Sequence, residues 1–445
     1  MKKIFVIGFG LAAAWAASAD PTVSGVSAAL SASDNIYTVS YTLAGAPAIV
    51  TVDVKTNGVS IGGEHIVTLS GDVNAPIATD GAKSFTWDVG RDWDAAAIGT
   101  IPVDIVVTAW TKASPPDVMV LDLVADSSAP VKYYESESFL PGGLLSNADY
   151  RVNKLVMKRC HVAGDTFELG VPGRTDRNKP RNVTFGHDFY LAVFEFTQGQ
   201  WESLTGARKD TSNNPNNTDG NFSYQDWQMR PCQYPAETAL REAKWNVFDK
   251  TKANPDYRYP HQPYSESLFG LIHVRTGIWV DLPSENQFEV AARPGHTAYG
   301  WYGVPIQSDD NDPNFPERYK YNGGKIKNGT AYEIPPVRSD ANYGTAKVGS
   351  YKPNQWGFYD MCGNVSEYMA DGWANPPSTT EEPHDYTVFT DEEQKEPKWL
   401  TKATQWNGAA GIGFAADGQQ GLVTGNRHAG FRVVSNDGFR DPLWK

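Results

Sequence analysis

The stretch Ile36-Tyr37-Thr38-Val39-Ser40-Tyr41-Thr42-Leu43 alternates apolar and polar side chains and decides the fold class of the N-terminal region. Such alternation is typical of a β-strand that buries one face. Comparable stretches follow at 49–54, 85–89, 103–110 and 118–124. Strands at this spacing, without helical periodicity, predict an antiparallel, immunoglobulin-like β-sandwich over residues 20–126. No residue cluster in it indicates chemistry, so we expect a spacer or adhesion-type module.

The residues before this region have the pattern of a secretory signal peptide. Lys2 and Lys3 precede a short apolar run, and Ala17-Ser18-Ala19 is a small-x-small cleavage site. The apolar run is too short to cross a hydrocarbon core of about 30 Å, so no membrane span is expected. Residues 1–19 therefore predict a mature protein that is secreted, either periplasmic or at the extracellular surface.

Composition limits the classes of function. The 445 residues include 39 Lys+Arg and 52 Asp+Glu, and loss of two lysines with the signal peptide would take the formal charge from −13 to −15. An acidic chain does not suit nucleic acid, whose phosphates require clustered Lys and Arg. Hydrophobic residues at 40% and aromatic residues at 12% exclude disorder as the dominant state.

The three cysteines, Cys160, Cys232 and Cys362, would lie in an oxidising compartment. The sequence does not fix the pairing of the cysteines, so a Cys160–Cys232 disulfide is one of the alternatives. The place of Cys362 within a tight motif favours a buried, inert thiol over a redox role. The sequence has neither a C-x-x-C nor an H-E-x-x-H pattern, so a catalytic zinc site is not expected.

The pattern changes to mixed α+β after residue 149. Residues 127–149 contain Pro141-Gly142-Gly143 and are interpreted as a linker. Thr197 with Gln200, and Ser284 with Gln287, form capping boxes that predict two helix starts. A third helix is expected to begin at Pro235.

Four motifs occur in order in this second region. They are Asp188-Phe189-Tyr190-Leu191-Ala192-Val193-Phe194-Glu195-Phe196-Thr197, Asp281-Leu282-Pro283-Ser284-Glu285-Asn286-Gln287-Phe288-Glu289, Gly357-Phe358-Tyr359-Asp360-Met361-Cys362-Gly363-Asn364-Val365-Ser366-Glu367 and Ala429-Gly430-Phe431-Arg432-Val433. Together they resemble the formylglycine-generating (sulfatase-modifying factor) enzymes. The resemblance implies a C-type-lectin-like domain over residues 150–436, followed by a tail at 437–445.

The resemblance also bears on activity. The oxidase members of this family use a copper-binding cysteine pair shortly before the Gly-Phe-Arg motif, and copper(I) favours soft thiolates. Here Cys362 is the last cysteine of the chain, and Lys402-Ala403-Thr404-Gln405-Trp406 departs from the family's R-G-G-S-W. No copper and no cysteine-dependent oxidase chemistry are therefore expected.

Structural calcium is the cofactor that the resemblance implies. Carried over by motif, one site would use the Asp360 and Glu367 side chains with the carbonyls of Gly363 and Val365. Oxygen donors with two carboxylates suit this hard cation; the alternative is that both carboxylates only cap turns. A second, more loosely aligned site would use Asn322 and Asp340 with carbonyls near Gly323 and Asn342.

The sequence thus predicts a secreted, non-catalytic binding or structural protein with a glycan or an extracellular protein as its partner. A ligand face is expected near four residues, Trp373, Trp399, Trp406 and His428, although core packing is the commoner use of Trp. Self-assembly is left open. The alternative function is a formylglycine-generating enzyme or a related oxidoreductase that acts on secreted proteins.

Overall fold

The computed structural model describes residues 20–93, 97–124, 127, 129–170, 175, 179–208, 226–233, 240, 265–294, 345–361, 363–372, 398–402, 419–422 and 429–436. The predicted signal peptide, the predicted C-terminal tail and most of the helix expected after Pro235 lie outside these ranges.

The N-terminal region consists mainly of short strands, with one α-helical turn among them. In chain order these are β1 (Thr22–Ser31), β2 (Ile36–Ala44), β3 (Ala48–Thr56), β4 (Val59–Ser60), β5 (Ser70–Gly71), β6 (Ala75–Ile77), β7 (Gly81–Asp88), α1 (Val89–Asp92) and β8 (Val103–Trp110). One antiparallel sheet has the order β1-β2-β7-β5, and the other is built around β3, which pairs with β4, β6 and β8.

The two sheets bury their apolar faces against each other. Val39 and Tyr41 of β2 share one hydrophobic cluster with Val50 and Val52 of β3 and with Trp87 of β7. Residues two apart on a strand point to the same face, so the alternation read from the sequence places them in this core. The predicted strands at 36–43, 49–54, 85–89 and 103–110 are confirmed, while the immunoglobulin-like assignment stays a prediction.

The second region has more strands and four helices among the residues described. The strands are β9 (Val118–Asp122), β10 (Val131–Tyr134), β11 (Lys154–Cys160), β12 (Thr166–Leu169), β13 (Arg181–Thr184), β14 (Phe189–Ala192), β15 (Ser366–Gly372), β16 (Lys398–Lys402), β17 (Gln419–Leu422), β18 (Ala429–Gly430) and β19 (Val434–Ser435). The helices are α2 (Asp149–Val152), α3 (Gln198–Thr205), α4 (Leu268–Thr276) and α5 (Glu285–Ala292). The sheet orders are β10-β9-β11-β14-β19, β17-β16-β15-β18 and β12-β13.

The strand predicted at 118–124 pairs with strands that follow it in the chain, whereas the predicted boundary at residue 126 groups it with the sandwich. Leu121 of β9 lies opposite Leu155 of β11, and β9 pairs with β10 on its other side. The predicted linker at 127–149 therefore contains a strand of the five-stranded sheet. Alternation identifies a strand but not its partner, and here the partner lies later in the chain.

The two regions are in direct contact. The outer face of β3 packs on the second region, where Ile49 joins the main hydrophobic cluster. The Thr51 Oγ1 donates to Glu135 Oε1 over 2.9 Å, and the Tyr133 N–H donates to the Asn74 carbonyl over 2.9 Å. Both polar contacts join residues of the sandwich to β10 or to the residue that follows it.

Both predicted capping boxes are confirmed. Thr197 and Gln200 cap α3 reciprocally, and Ser284 and Gln287 cap α5 in the same way. Each box satisfies N–H groups that a helix start leaves without an internal partner. The boxes fix the entry of α3, which directly follows the first motif, and of α5, which carries residues of the second motif.

Candidate functional site

A buried ion pair links the last two motifs. Arg432 lies between β18 and β19, and Glu367 lies on β15; both side chains are fully buried. The guanidinium donates from Nε to Glu367 Oε2 and from Nη2 to Oε1, each over 2.7 Å. This two-pronged geometry fixes both position and orientation, and it is among the stronger charge-assisted arrangements in proteins.

The same guanidinium binds two other segments of the chain. Arg432 Nη1 donates to the Ala192 carbonyl over 3.2 Å, and Nη2 also donates to the Tyr359 carbonyl over 3.0 Å. Ala192 ends β14, and Tyr359 belongs to the third motif. Arg432 thus joins the first, third and fourth motifs at one buried point.

A second buried carboxylate, Glu195, lies in the first motif. Its Oε2 accepts the Asn364 Nδ2–H over 2.6 Å, and its Oε1 accepts the Val365 N–H over 3.0 Å. Burial, together with the negative charges of Asp360 and Glu367, raises the pKa of Glu195 well above its usual range. The first motif therefore binds the loop of the third motif directly.

Asp360 is the third buried carboxylate of this group. Its Oδ2 accepts the Gly349 N–H over 2.8 Å, and burial raises its pKa to about 6. Asp360, Gly363 and Asn364 all have positive φ, so the loop turns sharply three times. The group contains three carboxylates and one guanidinium, and when all four are ionised it carries two uncompensated negative charges.

The loop holds all four residues predicted for the first calcium site: Asp360, Gly363, Val365 and Glu367. Within the ranges described, no three His, Cys, Asp or Glu side chains are grouped so that they could hold a metal ion. The predicted set has only two carboxylates, and one of them, Glu367, already binds Arg432. The donor set is nevertheless all oxygen, and a divalent cation would cancel the excess charge, so the loop fits calcium chemically. The second predicted set, Asn322, Gly323, Asp340 and Asn342, lies outside the described residues.

A separate charged cluster surrounds α5 of the second motif. Glu289 Oε2 lies 3.0 Å from Arg181 Nη2 and 3.6 Å from Lys402 Nζ, and Oε1 pairs with Arg293. Burial alone would raise the pKa of Glu289, but Arg293, Lys402 and Arg181 lower it to about 2. These pairs hold β13, α5 and β16 together.

Lys402 begins the stretch that departs from the family's R-G-G-S-W. Its side chain is fully buried, and Nζ lies 2.7 Å from Glu285 Oε1. The Lys402 ammonium therefore neutralises the carboxylate of Glu285, a residue of α5, inside the core. Residues 403–406 of the same stretch lie outside the part of the chain that the structure describes.

Two of the three cysteines are described, and they are not joined to each other. Cys160 lies in the cluster with Phe189, whereas Cys232 lies in the cluster with Phe431. Burial raises the pKa of the Cys160 thiol well above its usual value, which suits an inert side chain. Cys362 is outside the described ranges, so its predicted burial stays a prediction.

The structure describes only one residue of the predicted ligand face. This residue is Trp399, whose backbone pairs with Gly421 in β17 and with Gly372 in β15. The other three residues lie outside the described ranges: Trp373, Trp406 and His428. Across the described ranges, no helix is long and apolar enough to span a membrane.

Sequence reasoning missed several charged residues of these clusters. They are Arg181, Glu195, Glu285, Glu289, Arg293, Lys402 and Arg432. The usable signal was a lone charge within an apolar run, as in Val193-Phe194-Glu195-Phe196 and Gly430-Phe431-Arg432-Val433. A charge in such a run must find a partner in the core, because burying it alone is very costly.

Comparisons with known proteins place these clusters in a family context. The chain is 25% identical over 223 residues to the chaperone protein LppX of Paenibacillus barcinonensis, which covers 49% of this chain and 73% of that protein. It is 34% identical over 104 residues to the formylglycine-generating enzyme of Thermomonospora curvata, which covers 23% of this chain and 30% of that enzyme. Among solved structures, Treponema denticola variable protein 1 aligns at 19% identity and a TM-score of 0.41, over 64% of this chain and 95% of that one. A family model described as the sulfatase-modifying factor enzyme 1-like domain matches residues 148–437. Since that match spans more than half of the chain, the protein belongs to the sulfatase-modifying factor enzyme 1-like family.

Proposed function

We propose that this protein is a secreted, non-catalytic binding protein. The observation that carries the proposal is that four charged motif residues, Glu285, Glu289, Glu367 and Arg432, are buried and form internal ion pairs. Glu367 and Arg432 bind each other, and Glu289 binds three cations. Groups that are consumed in this way stabilise the domain and are not presented to a substrate.

The distribution of cysteines supports the same proposal. The chain has no cysteine after Cys362, so the copper-binding pair that the oxidase members carry before the Gly-Phe-Arg motif has no counterpart at that place in the sequence. Cys160, the last residue of β11 in the five-stranded sheet, is buried, and burial raises the pKa of its thiol. A buried, protonated thiol is a poor nucleophile and a poor metal ligand.

For the partner we propose an extracellular protein rather than a glycan. One relative, matched over 73% of its length, is named a chaperone, which points to a role in binding other polypeptides. The fold itself supports many functions, so the choice rests on this relative and on the internal use of the motif charges.

The domain is also proposed to be stabilised by calcium at the loop 360–367. The Asp360 and Glu367 carboxylates and the carbonyls of Gly363 and Val365 would hold the ion, which would supply positive charge to a buried anionic group. Isothermal titration of calcium into chelator-treated protein should give heat and raise the melting temperature. A titration without heat, and without a rise in melting temperature, would remove calcium from the proposal.

The binding role is tested with the mature protein on two platforms. We expect it to suppress aggregation of a heat-unfolded client protein at stoichiometric concentration and to bind protein arrays above glycan arrays. An equal amount of serum albumin is the control for non-specific protection. Binding to glycans alone would indicate that the partner is a sugar and not a protein. The absence of binding on both platforms would contradict the proposed role.

The competing function is formylglycine generation, which the 34% identity to the Thermomonospora curvata enzyme over 104 residues favours. That alignment covers less than a third of the enzyme's length. The two functions differ in one product, the formylglycine aldehyde, which a mass measurement on a sulfatase peptide detects.

A further inference from the structure

We propose that Glu195 is a positioning residue for calcium, holding the loop 360–367 in the shape that binds the ion. The inference rests on the calcium site proposed above and adds to it a residue from a different motif. It depends on the contacts of a single buried carboxylate.

Each oxygen of Glu195 accepts one N–H from the loop. Oε2 takes the Asn364 side-chain N–H over 2.6 Å, and Oε1 takes the Val365 backbone N–H over 3.0 Å. These two donors lie between the carbonyls of Gly363 and Val365, the two backbone ligands predicted for calcium. Because the peptide unit is planar, fixing the Val365 N–H fixes the plane of the 364–365 peptide, which lies between the two peptides that carry the Gly363 and Val365 carbonyls.

The backbone is left-handed at this point. Gly363 has φ of 80° and Asn364 has φ of 58°, a region that glycine adopts freely and asparagine more readily than most other residues. The Asn364 Oδ1 is held on its other side by the Ala346 N–H over 2.8 Å. Asn364 is therefore clamped between Ala346 and Glu195, which holds the segment of chain between the two predicted carbonyl ligands.

Glu195 also contributes to the charge of the site. With Asp360 and Glu367 it makes three buried carboxylates against the one guanidinium of Arg432. When all four groups are ionised, two negative charges are uncompensated, and a divalent cation bound at the loop would compensate them.

The test uses Glu195→Gln in the full mature chain. Glutamine has nearly the same shape, but its amide NH₂ would face one of the two N–H donors, so one bond of the clamp is lost together with the charge. We expect the calcium dissociation constant, measured by isothermal titration, to rise about 10- to 100-fold, as is typical when a residue behind a metal ligand is changed. Glu289→Gln is the control, because it removes a buried carboxylate from the other cluster and should leave calcium affinity unchanged.

The outcomes separate this inference from the calcium proposal. If the wild-type chain binds calcium and Glu195→Gln binds it equally well, the positioning role is wrong and the calcium site stands. If the wild-type chain does not bind calcium, the site fails and the inference fails with it. If Glu195→Gln does not fold, Asn364→Gly replaces it, since glycine keeps the left-handed backbone and removes the side-chain contacts to Glu195 and Ala346. A fall in affinity for Asn364→Gly supports the clamp, and an unchanged affinity overturns it.

Discussion

Replacing Arg432 with methionine removes the only cation from a group of three buried carboxylates. Methionine fills a similar volume without charge, so the change isolates the guanidinium and its contacts to Glu367, Ala192 and Tyr359. The variant keeps the apolar surroundings of the side chain. The measurements are made with chelator present so that no bound cation replaces the lost charge.

The expected cost follows from burial. Breaking a buried ion pair by removing one partner costs about 3–5 kcal/mol, because the remaining charge is left without compensation. That is a large share of the roughly 5–15 kcal/mol that stabilises a typical domain. The second change, Glu367→Gln, removes the stranded charge, so the double variant should recover about 1–3 kcal/mol relative to the sum of the single changes.

The assay is urea unfolding followed by tryptophan fluorescence for the wild-type protein, both single variants and the double variant. The matched control is Lys154→Met, which breaks a partly exposed pair with Asp149 at 3.8 Å and should cost no more than about 1 kcal/mol. An Arg432→Met cost as small as that of the control would refute the structural role of Arg432. Strict additivity in the double variant would refute the pairing with Glu367.

Three further predictions concern other parts of the fold. The pKa of Glu289 is lowered to about 2 from an unfolded value of about 4.3, so ionised Glu289 stabilises the fold above pH 4.3, and this stability is lost as pH falls towards 2. Glu289→Gln should therefore weaken the fall of the melting temperature between pH 4.3 and pH 2. The same fall in the variant as in the wild-type protein would contradict this. A Cβ at Gly63 would overlap the backbone of Phe139 and Leu140, so Gly63→Ala should lower the free energy of unfolding by about 1–3 kcal/mol. The change should also expose the 137–143 segment to protease. A wild-type cleavage pattern in the variant would argue against this contact between the regions. Cys160 should resist iodoacetamide in the native protein and react after unfolding, as site-resolved mass spectrometry would show; native labelling would mean that the thiol is accessible.

Local structure was the part of the fold most readable from the sequence. The capping boxes at Thr197 and Ser284 depend on residues three positions apart, and both helices begin where those boxes predict. Strand pairing depends on residues far apart in the chain. The strand at 118–124 was therefore recognised as a strand but assigned to the sandwich, although its partner is β11.

The site shows the same division between local and distant information. A single motif identifies Asp360 and Glu367 as predicted calcium ligands. Arg432 is 65 residues away from Glu367, and Glu195 is 170 residues away from Val365, so neither contact follows from spacing. What identified the motifs was the family resemblance, whereas the structure shows that they meet in buried ion pairs.

Incubation with copper and a cysteine-containing sulfatase peptide is the measurement that tests the central claim most directly. The claim is that the described motif charges of this chain hold the domain together and serve no oxidation reaction. The formylglycine-generating enzyme of Thermomonospora curvata is the positive control, and product is read as the mass change of cysteine to formylglycine. The account predicts an unchanged peptide with this protein and modified peptide with the control. Formylglycine formed by this chain would contradict it.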